Sequence, residues 1–263
     1  MPVDDGGIVI ERIPRRTRVV YTTPSHQSPI GVTMSLRRRR ELLTFAERHG
    51  VALIEDDYDS EYRHADRPLE PLHLLDRSGR VIYVGTFSKT LAPSLRLGFT
   101  VFPDSLATAA GELRRLMDGE PSGVPQRALL RFIADGHLDR HLRRTRKLYG
   151  DRHRIVTGAV ERWAGAGLVE PPAPSCAGLH GAIRLGHERR EAEIVERARA
   201  AGVTLGSFGD CWLAPDHPEG VIIGFGAVAS DELDEALAVL DQILTTRARG
   251  RSTNAATGQR VRR

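Results

Sequence analysis

The chain has 263 residues, of which 40% are hydrophobic and 27% are charged, the ordinary mixture of a globular protein. No apolar run approaches the roughly 20 residues of a membrane-spanning helix, and the N-terminus lacks the regions of a secretory signal, so we expect no membrane partner. The net charge is +4, but the basic residues fall on predicted helix faces and in the tail. With no nucleic-acid-binding motif present, we expect no DNA binding by this chain alone.

The first third of the chain alternates strand and helix patterns, which is typical of a mostly parallel sheet with helices on its faces. The first predicted helix begins at Ser35, a favourable N-cap, and is followed by Gly50, a residue suited to the end of a helix. Helices dominate from residue 105 onward, and the last of them is long and amphipathic. The predicted strands are 18–22, 51–55, 81–85 and 97–102, and the predicted helices are 35–49, 105–117, 126–135 and 138–163.

A proline-rich segment at 171–174 interrupts this pattern, and a smaller α/β unit follows it. Its predicted strands are 178–185, 203–208 and 221–225, and its predicted helices are 189–201 and 231–244. The sequence therefore predicts a partial large domain over 1–140, a C-terminal small domain over 141–246 that includes the long interdomain helix, and a disordered basic tail over 247–263.

Chemically distinctive residues follow two of the predicted strands, where ligands of open α/β sheets collect. Lys89 lies just past strand 81–85, and Asp56 and Tyr58 end strand 51–55. A lysine, an aspartate and a tyrosine suit pyridoxal 5'-phosphate, because the lysine can form an imine with its aldehyde, the aspartate can keep its pyridine nitrogen protonated, and the phenol can contact its ring hydroxyl. We therefore predict this cofactor.

The phosphate of such a cofactor needs hydroxyl groups and a cation, which Thr86, Ser88 and Arg96 can supply. Each residue also has a simpler interpretation. Lys89 could be an ordinary surface lysine, the acidic run at 55–59 an exposed loop, and Arg96 the partner of one of its carboxylates. The ordered occurrence of all these residues at strand ends favours the cofactor.

Three segments, 23–27, 54–62 and 81–91, closely resemble the aminotransferase-like domain of MocR-type regulators, in which a GntR-type winged helix is fused to a fold-type I aminotransferase domain. The resemblance implies an α/β fold of the fold-type I, pyridoxal-phosphate-dependent class and a homodimer that binds a small-molecule amine or amino acid. It also implies site residues: Lys89 forms the internal aldimine, Asp56 pairs with the pyridine nitrogen, Tyr58 contacts the ring hydroxyl, and Thr86, Ser88 and Arg96 surround the phosphate.

The sequence departs from this family in three places. It begins at an interior point of the family's large domain. A truncated gene, a gene model begun too late or a second chain that supplies the missing half would each explain this, and we expect one of the first two. His26 and Ser28 lie in the turn where ordinary aminotransferases carry an asparagine, and their assignment to the cofactor is loose. The arginine that clamps a substrate carboxylate is replaced by Ile222, or by Ala227 in the regulator-like register, so Arg184 is a candidate substitute if it is not simply a solvent-exposed strand residue.

The two cysteines, Cys176 and Cys211, form no disulfide framework, and we expect reduced thiols in a cytoplasmic protein. Cys176, His180 and Cys211 lack the paired spacing of a zinc site, so we predict no metal. Three functions stay open. The first is the effector domain of a MocR-type transcription regulator without its winged helix. The second is a pyridoxal-phosphate-dependent aminotransferase that moves an amino group between an amino acid and a 2-oxo acid. The third is a non-functional gene fragment.

Overall fold

A computed structural model describes residues 1–63, 69–119, 122–173, 177–186, 189–213 and 216–246. The predicted tail and Cys176 lie outside the described residues. Two hydrophobic cores organise the chain, one around a four-stranded sheet and one around a three-stranded sheet. No described helix is long and apolar enough to cross a membrane.

The N-terminal part is built on one mixed sheet whose strand order is β3-β4-β5-β6, beside a small β1-β2 hairpin. Strands β3, β4 and β5 are parallel, and β6 runs antiparallel to β5. The predicted mostly parallel sheet is therefore confirmed. The strands are β1 (Val3–Asp4), β2 (Gly7–Ile8), β3 (Val19–Thr22), β4 (Ala52–Asp57), β5 (Val81–Thr86) and β6 (Gly98–Val101), and the helices of this part are α1 (Leu36–His49), α2 (Leu72–Leu75), α3 (Asp104–Asp118) and α4 (Gly123–Ala134).

Helix α1 covers one face of this sheet. The Ser35 hydroxyl accepts a hydrogen bond from the Arg38 backbone N–H at 3.2 Å, and Gly50, with φ of 64°, ends the helix in the left-handed conformation. The apolar side chains between sheet and helix are buried, and they comprise Val20, Leu42, Ala46, Leu53 and Val81. Strand β6 is exposed along its length, and so are large apolar residues of α3 and α4.

The C-terminal part packs three helices against an antiparallel sheet of order β7-β9-β8. Buried residues from every one of these helices, such as Trp163, Ala198 and Leu237, meet Ile183 and Phe225 in the second core. Its elements are α5 (His137–Gly165), β7 (His180–Arg184), α6 (Glu191–Ala200), β8 (Gly206–Ser207), β9 (Gly220–Gly224) and α7 (Ser230–Thr245).

The predicted elements occur in the predicted order, with ends that move by a few residues. The largest difference is β8, which pairs over 206–207 only, whereas the sequence predicted a strand over 203–208. Pairing is short because β8 contacts β9 along one edge and the chain then turns into a 3-10 helix at 209–211. Helix α5 runs without a break through residue 140, so a domain boundary at that point stays a prediction.

Candidate cofactor site

The alternation of strand β4 separates its acidic residues onto two faces of the sheet. Glu55 is fully buried on the covered face, where its carboxylate accepts hydrogen bonds from the backbone N–H groups of Leu72 at 2.8 Å and His73 at 2.9 Å. Asp57 is also buried, and it accepts hydrogen bonds from the hydroxyls of Ser60 and Tyr83. Both carboxylates therefore stabilise the fold through these hydrogen bonds.

Asp56 faces the opposite side of the sheet, together with the residues aligned to it on the neighbouring strands. Its register partner on β5 is Val84, and Thr86 follows two residues later on the same face. The Tyr21 hydroxyl donates a hydrogen bond to the Asp56 carboxylate. Desolvation, followed by this hydrogen bond, raises the pKa of Tyr21 to about 12. Asp56 is therefore the acidic residue of β4 available to a ligand on this face.

A groove of about 800 Å³ opens between β5, β6 and α3; Val84 and Thr86 of that face line it, whereas Asp56 and Lys89 do not. The three predicted phosphate residues, Thr86, Ser88 and Arg96, all line it. The Ser88 backbone N–H donates to the Thr86 hydroxyl at 3.1 Å, which leaves the Thr86 hydroxyl proton free to donate. Arg96 has a φ of 50°, and for a non-glycine residue this left-handed conformation costs roughly 1–2 kcal/mol. The groove therefore combines two hydroxyls and a guanidinium, a donor set suited to an anion.

Lys89 lies in the turn that follows β5, and its side chain is exposed. The next residue, Thr90, is buried and fixes the turn, because its carbonyl accepts a hydrogen bond from the His141 ring at 2.8 Å and one from the Tyr62 hydroxyl at 3.4 Å. The turn also closes through a bond from the Leu91 N–H to the Phe87 carbonyl. Helix α5 thus anchors the residue next to Lys89.

Tyr58 donates a hydrogen bond to the backbone carbonyl of His26 at 2.8 Å. The His26 ring is buried and its Nδ1 lies 3.0 Å from the Asp59 carboxylate. Burial, and then the charges of Asp59 and Asp56, raise the pKa of Tyr58, so its phenol stays protonated at neutral pH. Ser28, in the same turn as His26, is exposed.

His180, the first residue of β7, packs against this cluster, and its ring centroid lies 4.2 Å from that of His26. Donor atoms of His26, Asp59 and His180 all lie within 4.8 Å of one another, a spacing that a metal ion could use. His26 Nδ1 already contacts Asp59, however, and His180 Nε2 lies 3.3 Å from the Pro29 carbonyl. Hydrogen bonds thus account for both contacts, and the expectation of no metal stays a prediction.

Arg184 lies at the other end of β7, about 13 Å from His180 at the usual rise per strand residue. Its guanidinium pairs with Glu170 at 3.5 Å near the surface. This location favours the simpler interpretation, a solvent-exposed strand arginine, over the substrate role. Cys211 is an exposed free thiol whose pKa is raised by burial and by Asp210 and Glu191.

Sequence reasoning missed four residues of this site. Tyr21 contacts Asp56, Asp59 and His180 contact His26, and His141 fixes the turn beside Lys89. The strand alternation that puts Tyr21 on the face of Asp56 was readable in the sequence. The other three depend on pairings between segments far apart in the chain, for which the local pattern gives no signal.

Comparison with known proteins identifies the family. Residues 8–192 match the model of the family described as aminotransferase class I and II. The uncharacterized HTH-type transcriptional regulator YhdI of Bacillus subtilis (strain 168) is 37% identical over 88% of this chain and 49% of its own length. The probable rhizopine catabolism regulatory protein MocR of Rhizobium meliloti is 34% identical over 90% of this chain and 48% of its own length. The chain thus spans about half the length of these curated relatives.

Comparison with solved structures supports the assignment to this family. Kynurenine aminotransferase of Pyrococcus horikoshii, determined in complex with PMP, is 27% identical and superposes with a TM-score of 0.80 over 94% of this chain and 64% of its own. An archaeal alanine:glyoxylate aminotransferase has a TM-score of 0.84 at 22% identity, over the same shares of the two chains, which shows the fold. The predicted fold-type I class is confirmed, and this fold family implies pyridoxal phosphate as the cofactor. The chain belongs to the aminotransferase class I and II family and resembles in sequence the aminotransferase-like domain of MocR-type regulators.

Proposed function

We propose that this chain is the effector-binding domain of a MocR-type transcription regulator, which holds pyridoxal phosphate on Lys89 and responds to a small-molecule amine or amino acid. One observation carries the proposal. Thr86, which lines the anion-suited groove together with Ser88 and Arg96, lies on the same sheet face as Asp56. The likeness to HTH-type transcriptional regulators over about nine tenths of the chain favours a sensor over an enzyme.

The residues present fit the cofactor, and each has a defined task. Pyridoxal phosphate supplies a ring that stabilises negative charge on a substrate carbon. The Asp56 carboxylate holds a proton at the ring nitrogen, while the oxygen of Tyr58, whose own proton goes to the His26 carbonyl, accepts a hydrogen bond from the ring hydroxyl. Arg96 and the two hydroxyls bind the phosphate as charge-assisted donors. Lys89 provides the covalent attachment.

We further propose a homodimer in the cytoplasm. Monomers rarely expose large contiguous apolar patches, yet α3 and α4 carry several exposed apolar side chains. These are Leu113, Leu116, Met117, Val124 and Leu130, with exposed fractions from 57% to 84%. The division into 1–140 and 141–246, like the truncation, stays a prediction.

The alternative function is a working aminotransferase, which the 27% identity to kynurenine aminotransferase over 94% of the chain favours. Lys89 would then also move a proton at the substrate carbon. The two functions differ in product. Mixing the cofactor-loaded chain with an amino acid and a second 2-oxo acid as acceptor of the amino group makes the 2-oxo acid of the first amino acid accumulate only if the chain is an enzyme. We expect a change in the bound cofactor's absorbance without accumulation of 2-oxo acid.

Covalent labelling tests the cofactor site, because the chain contains only two lysines, Lys89 and Lys147. Both lysines are exposed and accessible to the reagent, so a difference in labelling would reflect the residues around each lysine. Purified chain is mixed with pyridoxal phosphate, reduced with borohydride, digested and analysed by peptide mass spectrometry. We expect the label on Lys89, its loss in Lys89→Arg, and its retention in the matched control Lys147→Arg.

Two outcomes contradict the proposal. Equal labelling of the two lysines means that the reagent reacts with any exposed amine, and no site is present. A folded chain that takes no label supports the third possibility, a fragment that binds no cofactor. Circular dichroism of each sample establishes folding before the label is interpreted.

A further inference from the structure

The turn that carries His26 is held in place by the C-terminal part of the chain. His180, the first residue of β7, places its ring 4.2 Å from the His26 ring, with 31° between the ring planes. Its Nε2 lies 3.3 Å from the carbonyl of Pro29, so the ring can donate a hydrogen bond to the same turn. One side chain from residue 180 thus contacts the turn at two points.

Gly178, two residues before His180, lies in close contact with the His26 ring. It has a φ of 101°, and a Cβ atom added to it would lie 2.0 Å from the His26 ring and 2.9 Å from the Asp59 carboxylate. Only a glycine therefore permits this approach. The approach is anchored further by a hydrogen bond from the Gly178 N–H to the Tyr62 carbonyl at 2.9 Å. Contact between the two parts of the chain is tight at this point.

His26, held by these contacts with the C-terminal part of the chain, in turn orients Tyr58. Its Nδ1 faces the Asp59 carboxylate at 3.0 Å and therefore carries the proton, which fixes the ring orientation. Its Nε2 is buried with no hydrogen-bond partner within the described part of the chain. Its backbone carbonyl accepts the Tyr58 hydroxyl at 2.8 Å. Movement of His26 would therefore move the acceptor that orients the phenol.

We propose that His180 is a positioning residue for Tyr58, acting through His26. This inference rests on the proposed function, since it concerns the phenol predicted to contact the cofactor ring. The placement of β7 then decides whether Tyr58 is held at the cofactor. The ionisable groups that act on the His180 ring are His26, Asp59 and Lys89, and the effect of Asp59 opposes that of the other two. We therefore attribute the constraint to packing and hydrogen bonding.

The first test needs no cofactor. The ring proton between His26 and Asp59 is followed by nuclear magnetic resonance as a far-downfield imidazole N–H signal, assigned by its absence in Asp59→Asn. We expect the signal in the unmodified chain and in His217→Ala, a control in the same C-terminal part. We expect it to be lost or broadened in His180→Ala. His180→Gln keeps an N–H donor for Pro29 and should restore part of it.

The second test uses the bound cofactor. We expect the pH midpoint of its visible absorbance to shift by about half a pH unit or more in His180→Ala, and by less in His180→Gln and His217→Ala. A folded His180→Ala with an unchanged ring signal and midpoint overturns the inference, and if that variant does not fold, the same result in His180→Gln does so. Failure of the unmodified chain to label Lys89 rejects the proposed function instead, while the ring signal still decides whether His180 holds His26.

Discussion

Glu55 and Asp56 are consecutive in β4, yet their carboxylates lie on opposite faces of the sheet. Glu55 faces the helix-covered side, where it is fully buried beside Arg39 at 3.8 Å. Asp56 faces the open side and accepts a hydrogen bond from Tyr21. The two residues therefore allow stability and ligand binding to be tested separately on neighbouring positions.

Asp56→Asn should weaken cofactor binding and leave the fold intact. An amide cannot hold a proton at the ring nitrogen, and losing a hydrogen bond to a charged group costs about 1.5–3 kcal/mol, or roughly ten- to hundredfold in affinity. Titration with pyridoxal phosphate, followed by absorbance, measures this. Asp151→Asn, which removes a surface carboxylate of α5, is the control. Equal affinities for the two variants would exclude Asp56 from the site.

Glu55→Gln should lower the free energy of unfolding by about 3 kcal/mol, since it leaves the Arg39 charge buried without its partner. Burial already lowers the pKa of Arg39 to about 10, in spite of the opposing charge of Glu55. Urea unfolding measures the effect. The matched control is Glu196→Gln, which breaks a surface pair with Arg199 and should cost only about 0.3 kcal/mol. Similar losses in both variants would show that the buried pair has no special role.

Gly178→Ala should destabilise the chain by about 3 kcal/mol, because the added methyl group would collide with His26 and the residue would keep a positive φ. Gly50→Ala separates the two effects. Gly50 also has a positive φ, but among the described residues none besides its chain neighbours comes within 4 Å of an added Cβ, so we expect about 1 kcal/mol. Thermal unfolding compares the variants. An equal loss in both would mean that the segment at 178 does not press on His26.

The unfolding free energy should fall between pH 6.5 and pH 4 through His180. Burial, followed by the electrostatic effect of the neighbouring His26, lowers the pKa of His180 from 6.5 to about 4. The unfolded chain therefore takes up this proton at a higher pH than the folded chain does, so acid favours unfolding, by up to about 3 kcal/mol. The contribution is fully present above pH 6.5. Urea unfolding at several pH values should show a weaker pH dependence in His180→Gln, and identical curves would contradict this assignment.

The prediction of elements succeeded where a local pattern decides the structure. The apolar run before Glu55, the serine cap at Ser35 and Gly50 located β4 and α1 to within a few residues, because each signal acts over one strand or one helical turn. It was less accurate for β8, since a short edge strand is defined by its partner β9 and its own sequence hardly distinguishes it from a loop.

The sequence by itself determined the order of helices and strands, the family, and the placement of Lys89, Asp56 and Tyr58 at strand ends. These follow from periodicity and turn chemistry, which are properties of neighbouring residues. Only the tertiary structure decided that Tyr21 contacts Asp56 and that His180 meets the turn at Pro29, 151 residues away. Such contacts arise when separate hydrophobic cores bring distant segments together, and no local pattern encodes them.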